Sequence, residues 1–368
     1  MFQHIFVTLR HVVRPVQTTR RVLAALMIGL AVLVSACGIG QSGSTATSTP
    51  KPTATTTPTP CTTWRIIPSP NSTQYPSSGL SAVSALSPTS AWAVGSTSYM
   101  DGGPIQSLTE QWDGSTWHVM ASPGKDGLGG VAVVSATDVW AVGSLSSHQV
   151  RPTTMIEHWN GTQWSLVSSP NPGPLSDTLN GVAAISASEV WAVGESVTAT
   201  NATQPLIERW DGANWHIIPS PTLPSGTVGG TLNSVVALSA TDAWVVGDYT
   251  ASEHTHALIA HWDGDAWKLV AGPDSTASLT LASLGSVAVA GAQDVRAVGH
   301  TYTTDGVRHP WLIQWNGATW QVVPTPQPSA AVDSELNSIA TDGTGNFWVV
   351  GSYRETPLVD KTLTLHCP

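Results

Sequence analysis

Trp92-Ala93-Val94-Gly95 returns as Trp140-Ala141-Val142-Gly143, Trp191-Ala192-Val193-Gly194, Trp244-Val245-Val246-Gly247 and Trp348-Val349-Val350-Gly351. Arg296-Ala297-Val298-Gly299 stands in the same column with Arg for Trp. The steps are 48, 51, 53, 52 and 52 residues. A fixed period near fifty marks stacked supersecondary units. Around each tetrad the chain reads close to L-N-G-V-A-A-x-S-A-x-D-V-W-A-V-G, then a variable stretch, then L-I-E-H-W-D-G-x-x-W-x-V-V-P-S-P. Four short apolar runs per unit read as strands a (Gly181 to Ser186), b (Val190 to Gly194), c (Met155 to Trp159) and d (Trp164 to Val167).

The turns support this reading. A D-G or N-G pair follows strand c at Asp113, Asn160, Asp211, Asp263 and Asn316, the strongest short hairpin signal. In the a–b link, Ser135 to Asp138 and Ser239 to Asp242, the Asp is expected to accept turn amides. Pro-Ser-Pro at the end of strand d suits an edge strand, since Pro cannot donate to a ladder. Within W-A-V-G, Trp and Val point to one side of the sheet and Ala and Gly to the other. Stacked sheets then bring a large side against a small one, so the tryptophans are expected in the core.

The motif W-[DN]-G-x-x-W is complete five times. An orphan strand d, Trp64 to Pro70, begins the domain, and an orphan strand c, Thr362 to Cys367, ends it. The expected fold is all-β: a six-bladed β-propeller of four-stranded antiparallel blades, closed by the N-terminal strand d joining the C-terminal a, b and c strands. Cys367 takes the column of Trp112, and Cys61 lies three residues before Trp64 as Gly114 does before Trp117. Those columns face each other across a tight turn, within reach of a disulfide. A Cys61–Cys367 bond is expected to replace the missing turn, contributing up to about 5 kcal/mol in the chain-entropy account.

The three expected regions are 1–36, 37–62 and 63–368. Arg10, Arg14, Arg20 and Arg21 precede a thirteen-residue apolar run, Val22 to Val34, too short for a spanning helix. Val34-Ser35-Ala36-Cys37 resembles the bacterial lipoprotein signal, which implies lipidation of Cys37 and anchoring on the extracytoplasmic face; an uncleaved signal anchor is the alternative. Residues 38–62 are rich in Ser, Thr, Pro and Gly and read as an extended tether.

The formal charge is −10. The first 36 residues carry +4, leaving −14 on the rest. Charged residues make up 10 % of the chain. Few Lys and Arg on an acidic domain exclude a nucleic-acid partner. A monomer is expected.

The V-G after strand b and the D-G-x-x-W-x-x-x-P at strand d resemble Kelch repeats and galactose-oxidase-like propellers, although the second Gly is missing (Ser96 follows Gly95). Asp113 to Trp117 also resembles a shortened sialidase Asp box. These motifs are structural and imply the fold rather than an activity.

The a–b and c–d turns share one face and are short. The b–c and d–a connections share the other and vary in length and sequence, which is where binding groups collect on a rigid scaffold. The candidate ligand-binding residues there are Tyr99, Tyr249, Tyr302, Tyr353, Glu195, Asp248, His300, Arg308 and Arg354. Aromatic rings among carboxylates and amides suit a glycan or a peptide. His254-x-His256 lies on an expected loop with no third ligand in sequence, so no metal is assigned and no cofactor is expected. Arg296 is expected to pair with Asp294 or a neighbouring acid. A lipid-anchored binding module is the leading reading. A glycan-active hydrolase or lyase of sialidase type and an envelope scaffold are the alternatives.

Overall fold

The computed structural model describes residues 68–70, 77–98, 105–147, 150–273, 279–304, 306–329, 331–341, 347–355 and 359–367. Residues 60–368 form one compact unit. The expected leader, Cys37, the tether, Cys61 and Trp64 to Ile67 lie outside the described residues.

Among the described residues, twenty-three strands fall into six successive groups. The first is β1 (Ser77–Ser87), β2 (Ser90–Ser98), β3 (Gln106–Trp112) and β4 (Trp117–Met120). The second is β5 (Leu128–Ser135), β6 (Asp138–Ser147), β7 (Val150–Trp159) and β8 (Trp164–Val167). The third is β9 (Ser176–Ser186), β10 (Glu189–Val197), β11 (Thr203–Trp210) and β12 (Trp215–Ile217). The fourth is β13 (Thr227–Ser239), β14 (Asp242–Ala251), β15 (His254–Trp262) and β16 (Trp267–Leu269). The fifth is β17 (Leu279–Gly291), β18 (Asp294–Thr303), β19 (Arg308–Trp315) and β20 (Trp320–Val322). The sixth is β21 (Asp333–Thr341), β22 (Phe347–Glu355) and β23 (Val359–Cys367). Each group is an antiparallel meander. By hydrogen bonding there are five sheets, because a single parallel pair, Thr255 with Leu281, joins the fourth and fifth meanders into eight strands. The sixth group has three described strands, and no described sheet closes on itself.

The alternation in W-A-V-G works as its spacing predicts. Trp92 and Val94 of unit 1 pack on Val139, Ala141, Met155, Trp159 and Trp164 of unit 2. The same large-on-small contact recurs from unit 2 to 3, 3 to 4 and 4 to 5. From unit 5 to 6 the core carries Val298 against Phe347 and Val349. The five cores therefore lie between units. Each strand-b indole of units 1 to 4 meets the strand-d indole of the next unit edge-on, with ring centroids 5.1, 5.4, 5.3 and 5.4 Å apart. That geometry suits the aromatic quadrupole. On the outer flanks of units 1 and 6 the pattern breaks: Leu80, Val83 and Val350 are 46, 66 and 45 % exposed, whereas the counterparts of Val350 in units 1 to 5 are fully buried.

The D-G and N-G turns form as read. Asp113 Oδ1 accepts the amides of Ser115 and Thr116 at 2.7 and 2.8 Å, and Gly114 takes φ +97°. The a–b turns differ from expectation. Ser135 and Ser239 hydroxyls accept the turn amides of Thr137 and Thr241. Asp138 and Asp242 instead hold His158 and His261 of strand c, at 2.9 and 2.8 Å. Those imidazoles lie on the indoles of Trp140 and Trp244, so the acid fixes the lid over each wedge.

The tetrad glycine has a role beyond small size. A Cβ on Gly247 would sit inside the van der Waals shell of the Thr231 carbonyl, and the same holds for Gly95, Gly143, Gly194, Gly299 and Gly351 against strand a of their own unit. Gly247→Ala is expected to cost about 2–3 kcal/mol in denaturant unfolding, as overpacking against rigid backbone does. Gly291→Ala, whose Cβ would meet nothing within 4 Å, should stay within about 0.5 kcal/mol of wild type. Equal costs would refute the close-approach account.

Candidate functional site

A β-bulge in strand a of every unit builds the site. The register with strand b slips by one residue at Ser81, Gly129, Asn180, Asn233, Gly285 and Asn337. A bulge leaves one residue outside the ladder and re-aims its side chain. All six bulge residues line one cavity of about 720 Å³, which the first strands of the six units surround. That size lies within the range of small-molecule sites. Asn180 Nδ2 donates to Leu232 O of the next unit at 2.9 Å, and Asn233 Nδ2 donates to Leu284 O at 2.9 Å. Their donors thus tie neighbouring units. Serines 234, 286 and 338 add hydroxyls to the same wall.

Where strand b leaves this cavity, the residue after the tetrad glycine forms a second tier: Ser96, Ser144, Glu195, Asp248, His300 and Ser352. The tier is stitched from unit to unit. Glu195 Oε2 accepts from Thr231 Oγ1 at 2.5 Å. Asp248 Oδ2 accepts from Ser283 Oγ at 2.7 Å and from Asn233 Nδ2 at 3.3 Å. Glu335 accepts from Ser352 Oγ at 3.1 Å and from Arg308, which also reaches Asp333 at 2.9 Å. Units 1 and 2 carry only Ser96 and Ser144 here, with Gly79 opposite Ser96 in the ladder. Among the described residues the tier is therefore acidic over units 3, 4 and 6, with His300 in unit 5.

His300 is the titratable centre of the acidic side. Burial pushes its pKa below the ordinary imidazole value, and Arg308 adds to that, while Glu335, Asp248 and Asp333 oppose it. A neutral imidazole beside carboxylates can donate and accept hydrogen bonds to a bound hydroxyl. Among the described residues no three His, Cys, Asp or Glu side chains are grouped to hold a metal ion.

No protein-family model matches the sequence, and no curated relative matches it. Among solved structures the chain is similar to a Hadza microbial sialidase, with TM-score 0.52 and 13 % identity over 78 % of this chain and 65 % of that one. It is similar to a PL25 ulvan lyase bound to -[GlcA(1-4)Rha3S]-, with TM-score 0.52 and 9 % identity over 74 and 76 %. A Dyadobacter fermentans protein of unknown function gives TM-score 0.52 and 10 % identity over 77 and 93 %. The sialidase and the lyase are β-propellers. This fold is a β-propeller.

The propeller brings together part of the predicted set. Glu195, Asp248 and His300 share the tier, and Arg308 reaches it from strand c. Tyr302 stands edge-on to His300 with centroids 5.5 Å apart, and the Arg308 guanidinium lies 6.0 Å from its ring. Tyr249 stacks on His256 and packs against the core between units 3 and 4. Tyr353 packs against the core between units 5 and 6. Arg354 lies in β22, opposite Asp333 and Asp360 in the ladders. Tyr99 lies outside the described residues. The expected long loop holding His254 and His256 is a two-residue hairpin: Ser252 and Glu253 take φ of 51° and 68°, and both histidines are on β15.

Sequence reasoning missed Thr231, Asn233, Ser283, Asp333 and Glu335, all on strand a. The Asn in L-N-G was their signal, because an amide inside an apolar strand needs a bulge to escape it. Arg308→Met should raise the His300 pKa, since it removes a cation and frees Glu335 and Asp333 to favour the imidazolium. Imidazole proton shifts followed by NMR against pH check this, and an unmoved or lowered midpoint would contradict the assigned contacts.

Proposed function

We propose that the chain is a closed, six-bladed propeller that binds an extracellular glycan at the b–c/d–a end of its cavity and does no chemistry. The observation that carries the binding reading is the lining itself. Amides, hydroxyls and open backbone alternate with apolar side chains such as Val131, Val182, Val235 and Ile339 around a cavity of about 720 Å³, and Asp248 is hydrogen-bonded to its wall through Asn233. Such a wall satisfies a polyhydroxylated ligand, which offers many donors and little charge.

The rim also bears on ligand charge. Arg308 is held by Asp333 and Glu335, and Arg151 by Asp177. Guanidiniums engaged in this way are poorly placed to grip a ligand carboxylate, so a sialidase-type reaction is disfavoured and neutral glycans are favoured. The names of two fold neighbours, a sialidase and an ulvan lyase, agree with a glycan ligand. A scaffold that only spaces other proteins is the reading left if nothing binds.

Closure is supported by a repeated contact. Ser122, in Ala121-Ser122-Pro123 after strand d of unit 1, donates to Glu157 of unit 2 at 2.8 Å. Ser69, in Pro68-Ser69-Pro70, donates to Glu110 of unit 1 at 2.8 Å. Ser69 thus occupies the place of a strand-d exit from a preceding unit, and the unit lacking strand d is the sixth. Residues 61–67 then complete that sheet, cover Val350, and bring Cys61 to Cys367. Lipidation of Cys37 and export make the bond chemically permissible.

Two measurements test this. The full chain in detergent, applied to a glycan array, should bind neutral glycans saturably without product. Asp248→Ala should weaken that binding at least about tenfold, the loss expected when a charged hydrogen bond goes. His118→Ala, on the opposite face, should leave it unchanged. Absence of binding, or equal loss in both variants, would remove the assigned site. Separately, non-reducing peptide mapping should recover Cys61 linked to Cys367. Two free thiols would remove the cystine.

A further inference from the structure

Three successive propeller units bury a glutamate at the same strand-c position: Glu110, Glu157 and Glu208, all fully inaccessible. Units 4 to 6 carry Ala260, Ile313 and Leu365 there. The first two carboxylates are satisfied from the preceding segment. Both oxygens of Glu110 accept from Ser69 Oγ, at 3.0 and 2.8 Å. Both oxygens of Glu157 accept from Ser122 Oγ at 2.8 Å.

Glu208 differs. Its counterpart serine, Ser169, lies 2.6 Å from Thr154 Oγ1, a contact in which either hydroxyl can donate. Neither oxygen of Glu208 has a hydrogen-bond partner among the described residues. Its own sheet offers only Ala192 and Ile217 as register neighbours. The charged groups nearby on the other packed elements are Asp177 of β9 and Arg151 of β7. Arg151 is committed to Asp177 Oδ2 and to Asn171 O, each at 3.3 Å. A fully buried carboxylate whose nearest hydroxyl, Ser169, is shared with Thr154, and which lies beside a second acid, favours the neutral acid.

We propose that the junction between units 2 and 3 is a proton-dependent joint, closed while Glu208 carries a proton and opened when it ionises. Burial pushes the Glu208 pKa up to about 8, the nearby Ser169 hydroxyl lowering it and Asp177 raising it further. In an opened joint the group is in water and ionises near its ordinary value of 4.5. Between those values the closed joint binds the extra proton, so opening becomes more favourable as pH rises, by at most about tenfold per pH unit. Below pH 4.5 and above about 8 the dependence vanishes.

Hydrogen exchange of the full chain, followed by mass spectrometry from pH 5 to 8 and corrected for intrinsic rates, tests this. In the peptide spanning residues 203–218 the opening constant should rise at least about tenfold across the range. Glu208→Gln should reduce the rise to under about twofold. Glu208→Leu, which copies the residue at this position in unit 6, should do the same, and it keeps the test available if the Gln variant folds poorly. Glu157→Gln should leave the dependence at residues 203–218 intact. A flat wild-type profile, or an undiminished rise in both Glu208 variants, would overturn the proposal.

Discussion

Everything else in this molecule rests on one contact: the strand-b indole inserted between the two indoles of the following unit. Trp191 is fully buried and lies 5.2 Å from Trp262 and 5.3 Å from Trp267. Among the described residues each core is shared by two successive units. A unit is therefore stable only in company, as expected of repeat architectures. The lids of the wedge explain the polar residues beside it. His158, Arg209 and His261 lie over Trp140, Trp191 and Trp244, and each is held by an acid from the a–b turn. The same face carries caps at the D-G turns, where backbone amides and His216 lower the Asp211 pKa to about 2. That face is consumed by holding the stack, which leaves the opposite end free to vary.

The opposite end owes its chemistry to the tetrad glycine. Close approach of strand a to that glycine is possible only without a Cβ, and the bulge that follows releases one residue into the cavity. In units 3, 4 and 6 that residue is Asn, and in units 2 and 5 it is Gly. The motif that locks the fold thus also sets which side chains line the cavity. Rigidity comes with it, because Asn180 and Asn233 bind their neighbours' backbone with the donors while their carbonyl oxygens stay available. A site on bulges between wedged sheets is held more firmly than one on loops.

Much of this was legible in the residues. Period, strand count per unit, turn chemistry and the large-on-small stacking follow from local patterns that repeat. The placement of Glu195, Asp248 and His300 just beyond strand b's tetrad was legible because each follows directly on the repeated glycine. The strand-a half of the site was not, since a bulge shifts the inward and outward alternation by one and a period-two reading then assigns Asn233 to the wrong side. Tyr249 and Tyr353 misled for a related reason. They look like loop aromatics, but these strands run four residues past the tetrad, so alternation continues and turns both rings toward inter-unit cores. The S-A-T-D turn misled because Ser and Asp both cap amides, and the shorter serine reaches them first.

Arg296 shows how local exceptions follow from global topology. In units 1 to 4 the strand-b indole meets a Trp at the end of the next strand c. In unit 6 that column holds Cys367, so an indole in unit 5 would lose one of its two ring contacts. A guanidinium suits the altered neighbour. It lies 4.1 Å from the Phe347 ring, a cation–π contact, while Asp294 accepts from its Nε at 3.0 Å and Gln314 joins the same carboxylate at 2.9 Å. The charge is neutralised beside the tetrad without reaching the cavity, so this residue belongs to the packing of the last junction rather than to ligand recognition. The substitution at 296 and the cysteine at 367 are then one adaptation, made where the repeat has to end.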